Sequence, residues 1–428
     1  MALRDTLYTV VQTLAVPVLL ARLWQRGRRN PDYRLRWPER LGRVPGHASV
    51  QQPVVWVHAV SVGEAMAAHS LIQALRLCWP QVQFLVTTTT PTGSALVQQW
   101  QPQVLHQYLP FDVPWLLQPL FQYYQPVALL LMETELWPNL IQLAQARGVP
   151  VALCNARLSA RSARGYQRFS SFTRPTFARL DGVFAQTAAD AERLVGCGVR
   201  PEAVQVTGNL KMDSTLSEQE QALLAEFKAR LAHRPVWLAG SIHAEEEAVV
   251  LAALAHTLKH CPDVCVIWAP RHAERFAPVF HQLQGYVVTR RSQGEPPPEQ
   301  GGVWLLDTLG ELKWCYGLAQ VALVGGSWAD TGGHNPIEPA SLGVPVLMGP
   351  SRFNFKAVAE ALEAAGALRQ ATATEVPERL MHWLTDANAR QQASLAAQAV
   401  VRDNQGATAR QVSALCQWLP SLTQDAPV

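Results

Sequence analysis

The chain has no zinc-finger arrangement of ligands, no Walker loop and no dinucleotide fingerprint. Its seven cysteines (Cys78, Cys154, Cys197, Cys261, Cys265, Cys315 and Cys416) are scattered and odd in number. That argues against a disulfide framework and for reduced thiols. Cys261 and Cys265 stand close, but no second Cys or His pair accompanies them at finger spacing, so they read as an ordinary strand-flanking pair. No glycine-rich loop ends in Gly-Lys-Ser/Thr, and no Gly-x-Gly-x-x-Gly follows the first strand of either half. The lack of any Asp-x-Asp weakens a metal–nucleotide reading. Without a Gly-x-Ser-x-Gly elbow, Ser–His–Asp hydrolysis is unsupported. Charge is sparse as well: 36 basic and 33 acidic side chains leave a net +3, too little by itself to suggest nucleic acid. No internal repeat is present.

What is there is apolar and periodic. Hydrophobic residues make up 48% of 428, which is globular and too long for one ordinary core. The organising stretch is Val54-Val-Trp-Val-His-Ala-Val-Ser61-Val-Gly-Glu64, followed by apolar positions at helical spacing. It reads as a buried parallel strand, a short turn and a helix. Apolar runs at 82–87, 104–109, 127–132, 149–155, 182–186 and 204–211 continue the alternation of strand and helix. A second series follows at 236–240, 264–269, 286–289, 303–306, 321–324 and 344–348. The expected fold is α/β, with two doubly wound, Rossmann-like domains facing each other across a cleft. The expected boundaries are 1–45 for an N-terminal helix and its basic flank, 46–215 for the first domain and 216–234 for a linker. The second domain is expected at 235–373 and C-terminal helices at 374–428.

Residues 6–21 carry no charge, and a basic stretch follows with Arg22, Arg26, Arg28, Arg29, Arg34, Arg36, Arg40 and Arg43 against Asp32 and Glu39. A spanning helix needs about 20 apolar residues, so the segment reads either as a short span or as a helix lying in the interface. It has no small-residue cleavage site, so removal as a signal peptide is not expected. The arginines favour an anionic membrane surface and put the following chain on the cytoplasmic side.

Candidate chemistry gathers at strand exits, the edge where open α/β sheets bind ligands. Glu64, Glu133 and Glu135 all fall there in the first half. Ser61-Val-Gly-Glu64 is itself a capping-box match, so spacing alone leaves Glu64 open between helix cap and catalyst. Glu133 and Glu135 share a face if strand geometry persists and separate if a turn begins there. In the second half, Gly325-Gly-Ser-Trp-Ala-Asp-Thr-Gly-Gly-His-Asn335-Pro-Ile-Glu338 offers close backbone approach and a helix start suited to phosphate. Glu338 is placed to accept from a ribose diol. Pro270-Arg271 follows a strand, where Arg271 could clamp a phosphate. Leu309-Gly310-Glu311 opens a helix and offers backbone contacts to a base or phosphate. Arg157, Arg161, Arg164 and Arg168 form a spaced basic stretch that fits either a solvated face or capture of an acidic substrate.

The motifs His58-Ala-Val-Ser-Val-Gly-Glu64, Met132-Glu-Thr-Glu-Leu-Trp-Pro-Asn139, Asn155-Ala-Arg-Leu-Ser159, Gly208-Asn-Leu-Lys211, Pro270-Arg-His272 and Gly332-Gly-His-Asn-Pro-Ile-Glu338 stand in one order. As a set they resemble the 3-deoxy-D-manno-octulosonic acid (Kdo) transferases of Gram-negative bacteria. The resemblance runs from the N-terminal helix to about residue 356. It implies a GT-B fold, CMP-Kdo as donor and lipid IVA, a lipid A precursor with two phosphates, as acceptor, in lipopolysaccharide synthesis at the inner membrane. It implies transfer with inversion, no cofactor and no metal in the transfer step. By motif, Glu64 matches the general base, and Glu133 and Lys211 match transition-state stabilisers. Pro270, Arg271, Leu309, Gly310, Glu311, Asn335, Pro336, Ile337 and Glu338 match the CMP contacts. Ala244 and Glu245 stand where many members have Gly-Glu, and Met212 replaces a common Phe. The alternatives are another GT-B sugar-nucleotide transferase or epimerase, for instance one using UDP, and a tethered lipid-binding protein without turnover.

Overall fold

A computed structural model describes residues 3–28, 30–46, 52–231 and 234–422. Arg29, one of the arginines of the basic flank, lies outside the described residues. The chain forms two compact units, one of Met1–Asp213 with Gly406–Val428 and one of Ser214–Gln405. The helical tail expected over 374–428 is therefore shared. Helices Val376–Thr385 and Ala387–Asp403 belong to the second unit, and Ala407–Trp418 belongs to the first.

Among the described residues, the first unit holds seven strands: β1 (Val54–His58), β2 (Gln83–Thr88), β3 (Leu105–Tyr108), β4 (Ala128–Met132), β5 (Val151–Ala156), β6 (Gly182–Ala185) and β7 (Val204–Val206). All pair parallel in the order β3-β2-β1-β4-β5-β6-β7. Side chains alternate between faces along each strand. Val55 and Val57 therefore pack with Phe84, Val86 and Leu130 on one side. Val54 and Trp56 pack with Leu85, Leu129 and Leu131 on the other. Two covered faces explain the unbroken apolar runs. The chain winds outward from β1 to β3 and then returns to place β4 on the other side of β1. The crevice at the carboxyl ends of β1 and β4 is thus the topological switch point.

The second unit repeats the plan with β8 (Val236–Ile242), β9 (Cys265–Pro270), β10 (Val288–Arg290), β11 (Gly302–Leu305), β12 (Val321–Val324), β13 (Val346–Met348) and β14 (Leu368–Gln370). Their order is β10-β11-β9-β8-β12-β13-β14, again parallel, so its switch point lies between β8 and β12. Three elements differ from expectation. The strand expected over 286–289 begins only at Val288, because Tyr286 makes just an isolated bridge to Gln284. The run at 204–211 stops at Val206, because Gly208 turns at φ +94° and residues Leu210–Asp213 form a 3-10 turn. The edge strand β14 is three residues long, too short for a periodic signal.

Helix Leu3–Arg26 is long and apolar enough to cross a membrane by length and composition. One side of its first turns is hydrogen-bonded to the first unit. Tyr8 Oη donates to Asp112 Oδ2 at 2.9 Å, Thr9 Oγ1 donates to Asn139 Oδ1 at 2.8 Å, and Arg179 pairs with Asp5 at 2.8 Å. Asp112 is fully enclosed and also accepts the backbone N–H groups of Asn139 and Leu140, the start of helix Pro138–Gln145. The other side is apolar and open, with Leu14 72% and Val18 68% exposed beside Leu7, Val10 and Val11. An Asp112→Ala substitution strands two buried backbone donors and the half-buried Tyr8 hydroxyl, a loss of about 3 kcal/mol. Hydrogen–deuterium exchange at the amides of residues 139 and 140 is expected to speed up by roughly a hundredfold. Unchanged protection there would show that Asp112 does not hold this junction.

Candidate active site

In the first unit the switch point gathers three carboxyl groups. Strand β4 ends at Met132, and Glu133 turns the chain with φ +53°. The turn separates the two acids that a continued strand would have put on one face. Glu133 points inward and is 3% exposed. Its carboxylate is gripped on both oxygens: Lys211 Nζ lies 2.6 Å from Oε1 and Arg157 Nε lies 2.7 Å from Oε2. Burial alone would push its pKa up, but the two cations outweigh it and hold it below the usual glutamate value.

Glu64 sits in the first turn of helix Val62–Cys78, beside this clasp. A Cβ at the adjoining Gly63 would lie 3.8 Å from Lys211 Nζ. Both readings left open by the sequence meet here. Ser61 Oγ accepts the Glu64 N–H at 3.4 Å, and the Glu64 carboxylate accepts from Val60 N at 2.9 Å and from Ser61 Oγ at 2.8 Å. It is a cap, then, but one whose carboxyl is pushed above the ordinary glutamate value. Burial does most of this and the Glu133 charge adds to it, overcoming the Val60 and Ser61 hydrogen bonds and Lys211. A helix start normally favours the carboxylate form and weakens it as a base; burial here reverses that penalty.

Glu135, the third of the strand-exit acids, belongs to the same cluster. Burial, then the charge of Glu64, pushes it up to about 7, while its Oε2 accepts the Trp137 indole N–H at 3.0 Å. Beneath it, His58 is fully buried at the end of β1, edge-on to Trp137 at 5.7 Å. Its Nδ1 meets Thr87, and burial holds the ring neutral with a pKa of about 3. The four spaced arginines divide. Arg157 is committed to Glu133, whereas Arg161, Arg164 and Arg168 are exposed on helix Ala160–Arg168.

In the second unit the loops after β8, β9 and β12 converge. Pro270 ends β9 and is buried; Arg271 follows it, exposed, with its backbone N–H on Ile242 O at 2.9 Å. Asn335 Oδ1 accepts from Ile337 N and its Nδ2 donates to Glu338 Oε1, both at 3.1 Å, so Asn335 shapes the turn that starts helix Ile337–Ser341. That helix follows Pro336 and is only five residues long. Leu309 is 68% exposed and Gly310 takes φ +87°. The Glu311 carboxylate is already engaged by Arg291 at 2.6 Å and by the Thr308 hydroxyl, so what this turn offers a ligand is its backbone.

The residue that organises these loops, Glu246, escaped the sequence reading. It is wholly buried and accepts the N–H groups of His243 at 3.0 Å, Gly326 at 2.7 Å, Trp328 at 2.9 Å and Ala329 at 3.3 Å. A Cβ on Gly325 would sit 2.3 Å from Ser241 O and 2.9 Å from this carboxylate, so only glycine fits. The available signal was the spacing from His243 to Glu246, three residues, just ahead of an apolar helix. Among the described residues, no three His, Cys, Asp or Glu side chains group to hold a metal ion.

Two parallel doubly wound sheets in tandem, one edged by carboxylates and the other by glycine-rich loops, define the GT-B class of fold. The S. aureus MnaA–UDP co-structure has that likeness, with a TM-score of 0.61 at 16% identity over 88% of this chain and 99% of that one. The family model for 3-deoxy-D-manno-octulosonic-acid transferase (kdotransferase) matches residues 35–214. The 3-deoxy-D-manno-octulosonic acid transferase of Haemophilus influenzae is 34% identical, covering 96% of this chain and 98% of that one. That of Bordetella pertussis is 38% identical over 96% and 99%. The chain belongs to the Kdo transferase family and is a glycosyltransferase.

The clasp on Glu133 sets a pH signature. A carboxyl depressed in the folded state adds stability that is present above the unfolded value near 4.5 and is lost as pH falls through the depressed value. Lys211→Met is expected to cost about 2–3 kcal/mol at pH 7, with Arg157 left as the sole partner. It should also flatten the loss of stability below pH 4.5. Denaturant unfolding at pH 7 and at lower pH measures both, and a pH slope equal to that of the unmodified protein would contradict the assignment.

Proposed function

We propose that this Kdo transferase moves Kdo from CMP-Kdo to lipid IVA with inversion, using Glu64 as the general base. The observation that carries the reading is the carboxyl of Glu64, raised in basicity by burial and by Glu133, beside the Lys211 ammonium at the switch point of the first sheet. An acceptor hydroxyl oxygen attacks the anomeric carbon, its proton passes to Glu64, and the bond from that carbon to the phosphate oxygen breaks with its electron pair leaving on CMP. Lys211, partly neutralised by Glu133 but still a donor, stabilises charge at the reacting centre. In the second unit, Arg271 and the backbone of the turns at Gly310 and at 335–338 take the nucleotide, with Asn335 and Glu338 fixing the turn. The exposed Arg161 and Arg164 suit the phosphates of the acceptor.

Glu64→Gln keeps the cap but removes the base. It is expected to lower transfer by at least about a thousandfold, while CMP-Kdo binding stays within about threefold. A mass-spectrometric transfer assay with CMP-Kdo and lipid IVA, alongside CMP-Kdo calorimetry, reads both quantities. Turnover within about tenfold of the unmodified enzyme would sink the role of Glu64. The same assay counts the Kdo units added.

The reading includes attachment to the cytoplasmic face of the inner membrane. The helix Leu3–Arg26 would lie in the interface, because its first turns are tied to the first unit on one side and bare on the other. Arg22, Arg26, Arg28 and Arg34 supply attraction to anionic lipid. Leu14→Glu with Val18→Glu is expected to release the protein from phosphatidylglycerol-containing vesicles in a flotation assay. Undiminished flotation of that variant in high salt would overturn this placement.

A further inference from the structure

The loop that carries Lys211, residues 207–213, is held at both ends by one helix. That helix, Ala407–Trp418, lies in the first unit although its chain returns from the second. At the near end Arg410 Nε donates to Thr207 O at 3.0 Å, and the Thr207 hydroxyl donates to Gln411 Oε1 at 3.3 Å. At the far end Asp213 accepts from Gly406 N at 2.7 Å and from Thr408 N at 2.6 Å, amides at the start of the helix. Between the two ends stands Gly208 at φ +94°. A Cβ there would lie 2.8 Å from Arg410 Nη2 and 3.1 Å from Ala407 Cβ, so glycine allows helix and loop to come this close.

The same helix reaches the other cation of the Glu133 clasp. The pairing of β5 with β6 shifts register between Leu153 and Ala156, and Asn155 takes φ +50°. Its N–H donates to Gln411 Oε1 at 3.1 Å, while its Oδ1 accepts from Leu210 N at 3.0 Å. Gln411 is wholly buried. Its one carbonyl oxygen thus joins the exit of β5, two residues before Arg157, to the exit of β7, four residues before Lys211. Glu133 N–H donates to Cys154 O at 2.9 Å, which ties the acid to the same exit. Besides the two cations, the charged and titratable groups around the clasp are Glu64, Glu135, Cys154, Asp213 and Arg410.

We propose that Gln411, Arg410 and Asp213 are positioning residues for transfer, setting the Lys211 ammonium and the Arg157 guanidinium against Glu133. This rests on the reading of Lys211 as the group that stabilises charge at the reacting centre. An ammonium on a flexible four-carbon stem does so only where its backbone is fixed, because a misplacement of about 1 Å costs on the order of a hundredfold in rate. The tie also falls where the chain leaves the first unit, after Asp213, and where it returns, at Gly406, so both crossings are anchored beside Lys211. The C-terminal helix lies beyond the motifs that carry the family resemblance, and through these contacts it serves the chemistry of the first unit.

The test is steady-state transfer from CMP-Kdo to lipid IVA by full-length Gln411→Met, Asp213→Ala, Asp213→Asn and Lys211→Met, with CMP calorimetry on each. Gln411→Met keeps the length of the side chain and loses its acceptor. It and Asp213→Ala are expected to lower kcat at least about tenfold, while KM for CMP-Kdo and the affinity for CMP stay within about threefold. Asp213→Asn keeps one acceptor oxygen and is expected to recover kcat to within about threefold of the unmodified enzyme. Against the upward push of burial, Lys211 lowers both Glu64 and Glu133. An ammonium that has drifted lets both rise, so the acid limb of kcat/KM moves to higher pH in Gln411→Met. A protein that is only partly folded loses the same fraction of kcat at every pH and leaves that limb in place. If Lys211→Met transfers as fast as the unmodified enzyme, the reading of Lys211 falls and this inference with it. If Lys211→Met is slow but Gln411→Met keeps its kcat or its acid limb, the inference alone is overturned. Asp213→Asn as slow as Asp213→Ala likewise overturns it.

Discussion

A buried carboxylate with too little water must be answered by protein charges, and Glu133 is answered twice. Its two partners come from loops distant in sequence, Arg157 after β5 and Lys211 after β7, so one acid fastens the exits of three strands. The clasp also fixes the backbone. A glutamate at φ +53° carries a strain that side-chain contacts must offset. Asn155 sits in the same left-handed region at the end of β5, with its Oδ1 on Leu210 N, so the neighbouring exit is held in the same manner. From these turns follow the inward aim of Glu133 and the position of Lys211 next to the Glu64 turn. Burial, and after it the crowding of acids, pushes both Glu64 and Glu135 upward, and that crowding has the same origin.

The second unit solves a matching problem with the opposite partner. Glu246 is as buried as Glu133, but it is neutralised by backbone N–H groups instead of cations. The difference is chemically useful. A cation beside a phosphate-binding turn would be drained by a neighbouring carboxylate, whereas a carboxylate absorbed in N–H groups leaves Arg271 free of it. The N–H groups it consumes belong to His243, Gly326, Trp328 and Ala329, all upstream of the turn at 335–338 that the proposed function gives to the nucleotide. Glu246 therefore shapes the loop without competing for its ligand.

Much of this architecture is legible in the sequence because it rests on local pattern. Apolar runs of five or six residues mark strands covered on both faces, and glycine, proline and capping residues mark their exits. Glu64 is visible as a cap from Ser61, and Glu133 as a strand-exit acid. The sequence does not reveal which acids share an environment, because that depends on strand order. β1 and β4 are 70 residues apart in the chain but adjacent in the sheet, with His58 opposite Leu131. The same reason hides the Asp112 junction, the Glu246 network and the Gln411 contacts, each a meeting of segments far apart in sequence. Arg157 shows the converse failure: its spacing with Arg161 and Arg164 suggests one basic surface, but the helix begins only at Ala160 and leaves Arg157 on the strand side of the turn.

The two switch points differ in how they handle protons, and this bears on what each can do. At β1 and β4, burial and then the neighbouring acids raise Glu64 and Glu135, so a proton arriving on either is held more tightly than by an isolated glutamate, while Glu133 stays depressed between its two cations. At β8 and β12, His334 is held below the ordinary histidine value by burial, by Arg271 and by the neighbouring imidazoles, so it resists taking up a proton. The first arrangement suits a group that must remove a proton from a neutral hydroxyl. A single fold plan repeated twice thus yields opposite proton affinities, through the residue types at the strand exits: Glu64 after β1 and Glu135 after β4 are raised, and His334 after β12 is lowered.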